Sequence, residues 1–337
     1  MRPLTRSSNR TRARVGSSRL FFASLAAPLL VAAFLATGAA SSAAVSEDTP
    51  VSSSRDILLP PAGAHLGAFV DGWETTPYAN VTSFEASIGA ELTIDHHFYG
   101  WASRFPTSWD AWDVANGRIP MASWSATRLG AITSGKYDAL VRARARAIRD
   151  FGHPIFLRFA AEMNGDWLPW SGAQNGRDPS RYVAAWRRVH RIFAQEGATN
   201  AVWVWCPNSD DVPAARWNHF SRYYPGDAYV DWVGIDGYNW GTTRVWSQWR
   251  SFRSIFARVY AAYAGRKPIM VAETSSAEEG GSKGTWIRNS LHEMKTRFPE
   301  MRALVWFEVN KENDWRASSS SSSLTAYRAL ASDPHFG

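Results

Sequence analysis

The stretch "FLRFAAEMNGDWLPW", Phe156 to Trp170, runs from six mostly apolar residues into Glu162, Asn164, Gly165, Asp166 and two tryptophans. A carboxyl group that closes a buried run among aromatics is a candidate for proton transfer or nucleophilic attack, because burial and nearby charge shift its pKa. One acid is not enough for glycosidic bond cleavage. That reaction needs one protonated carboxyl for the leaving oxygen and one ionised carboxylate near the anomeric carbon. Glu273, in "KPIMVAETSS", ends a similar apolar run 111 residues downstream. The two environments must push the two pKa values apart. Arg158, four residues before Glu162, has the charge to hold a carboxylate ionised, and the Tyr238 phenol could orient one. The same pattern also suits a structural ion pair, since barrel strands often end in acids. The residues alone leave both readings open.

Positioning two distant acids face to face requires a closed scaffold. Eight short apolar runs supply candidate strands: 65–70, 91–98, 118–124, 154–160, 200–206, 230–236, 267–273 and 302–308. Most are apolar throughout instead of alternating, as strands covered on both faces are. Helical patterns separate them, including 137–152, 178–197, 247–265 and 284–298. The segment at 178 opens on Asp-Pro-Ser and closes on Gly197, a good pair of start and stop signals. Eight strands alternating with helices predict an α/β fold, a (β/α)8 TIM barrel in a single catalytic domain, with its site at the strand C-terminal ends. No GxGxxG turn follows the first strand, which argues against an open dinucleotide-binding sheet. Besides the two glutamates, strand ends carry Asp95, His96, His97, Trp124, Asp236, Glu308 and Asn310. The serine run Ser318–Ser323 is expected to be a mobile loop after the last strand.

The first 44 residues have the three parts of a secretory signal: a basic start, an apolar run from Leu20 to Leu35, and small residues near Ala44. That start holds six arginines and no acid; taking them from the net charge of +7 leaves +1 for the rest. No basic field remains for nucleic acid. Residues 45–62 are expected to form a flexible lead-in and 63–337 the barrel domain. The expected product is secreted and monomeric, with no membrane span once the signal is removed. Its 18 tryptophans exceed what a core requires and fit flat platforms for sugar rings. Trp170, Trp205, Trp240, Trp306 and Trp315 are candidates for such stacking, with core packing the equal alternative.

Other chemistries find little support. Cys206 is the one cysteine in the sequence and lies in the apolar "AVWVWCPN", so it reads as a buried small residue. There is no HExxH motif, no GxSxG elbow and no cysteine cluster. Asp95, His96 and His97 alternate in direction along a strand. A histidine lining the cleft, His97, is therefore expected there in place of a metal centre. No metal or cofactor is expected.

The sequence "RFAAEMNGDWLPW" resembles the acid/base signature of glycoside hydrolase family 26, the secreted endo-β-mannanases and their relatives. The likeness continues through "GRIPMASW", "GATNAVWVWCPN", "YYPGDAYVDWVGIDGYNW", "KPIMVAETSS" and "ALVWFEVNKENDWR". It implies a (β/α)8 fold and a retaining mechanism, with Glu162 as general acid/base and Glu273 as nucleophile. It also implies that Arg158 and Tyr238 orient the nucleophile, that Trp167 forms an aromatic floor for the reacting sugar, and that Trp124 stacks on sugar. The chain departs from the family pattern at Ala161, where a histidine usually precedes the acid/base and reads the sugar's 2-hydroxyl. A β-linked polysaccharide is the expected partner. β-1,4-Mannan leads by family likeness, a mixed-linkage β-glucan or β-xylan follows, and a non-hydrolytic carbohydrate-binding barrel is the alternative of another class.

Overall fold

The computed structural model describes residues 58–72 and 77–336; the leader at 1–44 and the lead-in up to 57 lie outside the described residues. Eight parallel strands close into a barrel in sequence order, with the last pairing to the first. They are β1 (His65–Val70), β2 (Ile94–Tyr99), β3 (Ile119–Trp124), β4 (Ile155–Phe159), β5 (Ala201–Trp205), β6 (Trp232–Asp236), β7 (Ile269–Thr274) and β8 (Met301–Glu308). The expected TIM barrel is what forms.

Among the described residues eight α-helices lie between and after the strands: α1 (Pro77–Ile88), α2 (Ser108–Ala115), α3 (Leu129–Thr133), α4 (Asp138–Phe151), α5 (Pro179–Gln195), α6 (Phe252–Tyr263), α7 (Lys283–Thr296) and α8 (Ser321–Ala331). Their starts follow local chemistry. Thr107 and Asp110 form a reciprocal capping box on α2. Asp178 caps α5 through the Ser180 N–H, with Pro179 in the first turn. Helix α5 then turns Tyr182, Trp186, Val189 and Phe193 onto the barrel.

Strand alternation divides the apolar residues into two cores. Met121, Phe156, Val202, Val204, Trp232, Met270, Ala303 and Val305 fill the barrel interior. Leu157, Phe159, Trp205, Val233, Val271, Leu304 and Trp306 point outward and pack with the helices. Apolar residues on both faces explain why these strands read as continuous runs.

Two segments differ from expectation. The serine run is not a loop: Ser320 caps α8, and Ser323 is buried and donates to Glu278 Oε1 at 2.7 Å. Serine is a weak helix former but a strong N-cap, so a serine run can hide a helix start. At the other end, Leu58 and Leu59 pack on the interior core and Arg302 donates to the Pro60 carbonyl at 2.8 Å. The described end of the lead-in is thus fastened to the barrel. Among the described residues no helix is long and apolar enough to cross a membrane.

Candidate active site

Strand β4 delivers the first glutamate through an unusual turn. By strict alternation Ala160 and Glu162 would continue the face of Phe156 and Arg158. Instead Ala160 and Glu162 both adopt left-handed backbone, with φ of 49° and 56°. Ala160 turns to the outer core while Ala161 joins the interior one. Non-glycine residues persist in this region only where surroundings over-determine them, and such sites cluster at active centres. Here the surroundings do so. Ala160 N–H donates to the Trp124 carbonyl, Glu162 N–H to the Cys206 carbonyl, and the Ala160 and Ala161 carbonyls accept from Tyr182 Oη and Trp170 Nε1.

Strand β7 delivers the second. Met270 and Ala272 face the interior, so regular pleating would send Glu273 outward. Register irregularities against β6 at 235–236 and against β8 at 271–274 break that alternation. A bulge of this kind re-aims a side chain. Glu273 turns into the mouth, where its Oε1 lies 2.6 Å from Arg158 Nη2 and its Oε2 accepts from Tyr238 Oη at 2.8 Å.

Arg158 is the hub. Its Nη2 also lies 2.9 Å from Asp236 Oδ2, and all three groups are buried. Burial opposes the charge on Arg158, but Asp236 and Glu273 more than offset it and raise its pKa. Burial likewise raises the Asp236 pKa while Arg158 pulls it down, and Cys206 Sγ donates to Asp236 Oδ1 at 3.1 Å. Burial and the Glu273 carboxylate raise Tyr238 well above an ordinary phenol, so it remains a donor.

Glu162 sits in a different field. Burial first, then the Glu273 charge, raise its pKa, against hydrogen bonds that lower it. Those bonds come from Asn208 Nδ2 to Oε1 at 2.7 Å and from Trp167 Nε1 to Oε2 at 3.0 Å. Asn164 places Asn208: the Asn208 N–H donates to Asn164 Oδ1, and Asn164 Nδ2 donates back to the Asn208 carbonyl. Trp167 remains 48% exposed and folds back over Gly165, where a Cβ would lie 2.6 Å from the indole. One glutamate carries a raised pKa and the other is held by a cation and a phenol. That is the asymmetry acid–nucleophile chemistry demands.

The structure thus brings together Glu162, Glu273, Arg158, Tyr238 and Trp167. It excludes three expected site residues. Trp124 is 1% exposed, lies on the outer face of β3, stacks on Trp101 at 4.8 Å and donates to the Trp101 carbonyl. Trp306 is 0% exposed and packs outward against Trp286 and Tyr327. His97 also points outward, with Nε2 2.7 Å from Asp113 Oδ2 of α2. Its neighbour His96 takes the inward direction, 2.5 Å from Ser123 Oγ and beside Phe69 and Phe98. Burial, then the Arg158 charge, depress the His96 pKa and keep it neutral. Trp170 and Trp205 are core residues too.

Asn208, Phe98 and Phe307 were not foreseen at the mouth, and of the two adjacent histidines of β2 it is His96, not His97, that turns inward. Phe307 stacks on Phe69 at 5.3 Å and meets Tyr238 edge-on at 5.8 Å. A polar residue just past a strand end, as in "WCPN", was the available signal for Asn208.

One group among the described residues could hold a metal: Asp95, His97 and Asp113, with ligand atoms within 4.8 Å of one another. It lies between β2 and α2, outside the barrel wall. Burial raises the Asp95 pKa and pushes Asp113 up to about 7, and the two carboxyls share a hydrogen bond. His97 Nε2 lies between the two carboxyls, 2.7 Å from Asp113 Oδ2 and 3.7 Å from Asp95 Oδ2, away from the mouth.

A closed parallel barrel whose C-terminal mouth joins two unlike glutamates is the architecture of a glycoside hydrolase. The sequence matches the description "Glycosyl hydrolase family 26" over residues 86–330, and the chain belongs to that family. It is 40% identical over 275 residues to Endoglucanase H of Acetivibrio thermocellus, a match covering 79% of this chain and 30% of that protein. A mannan endo-1,4-β-mannosidase of Bacillus subtilis is 29% identical over 116 residues, 33% of this chain and 29% of the relative. The chain therefore spans about a third or less of the length of these curated relatives. A family 26 β-mannanase structure from Bacteroides ovatus superposes with a TM-score of 0.62 at 16% identity, covering 82% of this chain and 90% of that one. At that identity the likeness speaks for the fold.

Proposed function

We propose that this chain is a secreted, retaining endo-β-glycanase. The observation that carries the reading is the contrast between the two glutamates. Glu162 would enter protonated, because burial and the Glu273 charge favour its neutral form. It would give its proton to the glycosidic oxygen while a Glu273 oxygen bonds to the anomeric carbon and the leaving sugar departs with the bond's electrons. Esterification removes the charge on Glu273, and with it one of the two forces raising the Glu162 pKa. Glu162, now ionised, would take a proton from water as that water attacks the anomeric carbon and frees Glu273. Arg158 and Tyr238 hold the attacking carboxylate in place, and Trp167 would support the reacting sugar.

For the substrate, a β-glucan is favoured over the β-1,4-mannan expected from the resemblance. The 40% identical relative is named an endoglucanase, whereas the mannosidase relatives match over shorter stretches. Ala161 supports the same choice, since it places a methyl beside Glu162 where a 2-hydroxyl reader would stand. Mannose and glucose differ at that hydroxyl. Mannan remains the second reading, carried by those mannosidase matches. Reducing-sugar release from mixed-linkage β-glucan, β-mannan and β-xylan tests both, with release from glucan expected to dominate. Release from mannan alone would overturn the glucan assignment. Oligosaccharide binding with no release from any of the three would favour a binding barrel.

A further inference from the structure

The four large hydrophobic residues exposed among the described residues are Tyr78, Trp167, Val245 and Trp246. They are not scattered. Tyr78 begins α1 just after β1, Trp167 follows β4, and Val245 and Trp246 follow β6, so all lie on the connections that leave the C-terminal face of the barrel. Trp167 already belongs to the site through its bond to Glu162. Val245 and Trp246, at 107% and 67% exposed, form an apolar patch that catalysis at the two glutamates does not use.

Aromatic contacts connect that patch to the nucleophile. Tyr238, hydrogen-bonded to Glu273, lies 5.0 Å from the Trp315 ring; Trp315 meets Trp240 at 5.0 Å; and Trp240 meets Trp246 at 5.3 Å. Trp315 is buried, Trp240 half-buried and Trp246 exposed, so the series climbs from the barrel to its rim. The loop that carries it is braced. Arg244 donates to the Glu312 carbonyl at 2.8 Å and lies over the Trp240 ring. Thr242 N–H donates to the Glu279 carbonyl, Ser247 Oγ to the Gly241 carbonyl, and Arg250 N–H to Asn239 Oδ1. These bonds fix the loop backbone and the Trp240 ring lies against the Trp246 indole, so less freedom is lost on binding than from an unbraced loop, which favours an efficient contact. Its flat apolar face suits the C–H face of a pyranose ring, and the Val245 side chain extends that surface.

We propose that Trp246, with Val245, is a carbohydrate platform on the β6–α6 connection that binds a sugar unit of the same β-glycan several units from the bond being cleaved. This rests on the endo-glycanase reading above and adds a contact to it. The arrangement makes the protein prefer long chains, since only these span the mouth and reach the rim.

The test compares the wild type with Trp246→Ala and Trp246→Phe on the soluble polysaccharide that the wild type cleaves fastest and on a short aryl β-glycoside. The ratio of kcat/KM for polymer to that for the short substrate falls about 5–10-fold in Trp246→Ala, and Trp246→Phe recovers most of it. In a Glu273→Ala background, native gel migration through the same polysaccharide is retarded less when Trp246 is also alanine. An unchanged ratio with unchanged retardation overturns the platform and leaves the glycanase reading standing. A wild type that cleaves none of the polysaccharides overturns the glycanase reading, and the platform with it.

Discussion

Replacing Arg158 by methionine tests the central electrostatic claim. Methionine keeps most of the buried volume but leaves Asp236 and Glu273 without the cation that lies 2.9 and 2.6 Å from them. Removing one member of a buried charge network costs about 3–5 kcal/mol, because the remaining charge stays desolvated. For a domain of this size each kcal/mol lowers Tm by about 2–4 °C, so the variant should melt about 6–20 °C below wild type. The pH dependence has a definite sign. Asp236 keeps the burial that raises its pKa and loses the Arg158 charge that lowers it. A carboxyl with a raised folded-state pKa contributes stability at low pH and loses it as pH rises through that pKa. Arg158→Met should therefore melt closest to wild type in acid and furthest below it in mild alkali. Adding Asp236→Asn should recover much of the loss, since it removes one stranded charge, without restoring hydrolysis. Calorimetry from pH 4 to 9 on the three proteins reads all of this. A single variant within about 1 kcal/mol of wild type, or one whose deficit shrinks as pH rises, would refute the reasoning.

Three further outcomes follow from the geometry. Glu162→Ala should reduce polysaccharide hydrolysis about 10²–10⁴-fold, the usual contribution of a general acid; an aryl glycoside whose leaving group needs no proton should show a burst of phenol release, and a slow steady state without a burst would contradict the double displacement. Asn208→Ala removes a hydrogen bond that lowers the Glu162 pKa, so the alkaline limb of kcat/KM on polysaccharide should move to higher pH; movement to lower pH would deny Asn208 that role. Gly165→Ala drives a methyl into the Trp167 indole and should raise KM about tenfold with a smaller change in kcat; wild-type kinetics would show that Trp167 does not support the sugar.

How much of this was legible in the chain depended on whether chemistry or direction was at stake. Residue type marked Glu162, Glu273, Arg158 and Tyr238, the family resemblance added Trp167, and apolar runs separated by helical patterns marked all eight strands. Direction was harder to read. In a barrel jacketed by helices both strand faces are apolar, so hydrophobicity does not tell inward from outward. His97, Trp124 and Trp306 were expected at the mouth and point the other way, while His96 and Phe307, one residue removed, point in. The left-handed turn at Ala160 and Glu162 and the irregularity in β7 leave no mark in composition. Both arise from tertiary hydrogen bonds and register. They are also what aims the two glutamates.

The interior position of Cys206 has a practical use. The only thiol in the sequence is shut inside the barrel, its pKa raised by burial and its Sγ engaged with Asp236. Maleimide reagents should pass it by in the folded state. A Gln248→Cys variant, two positions beyond Trp246, would then carry the sole reactive handle, and a dye placed there would report a polymer's arrival at the rim without any background to engineer away.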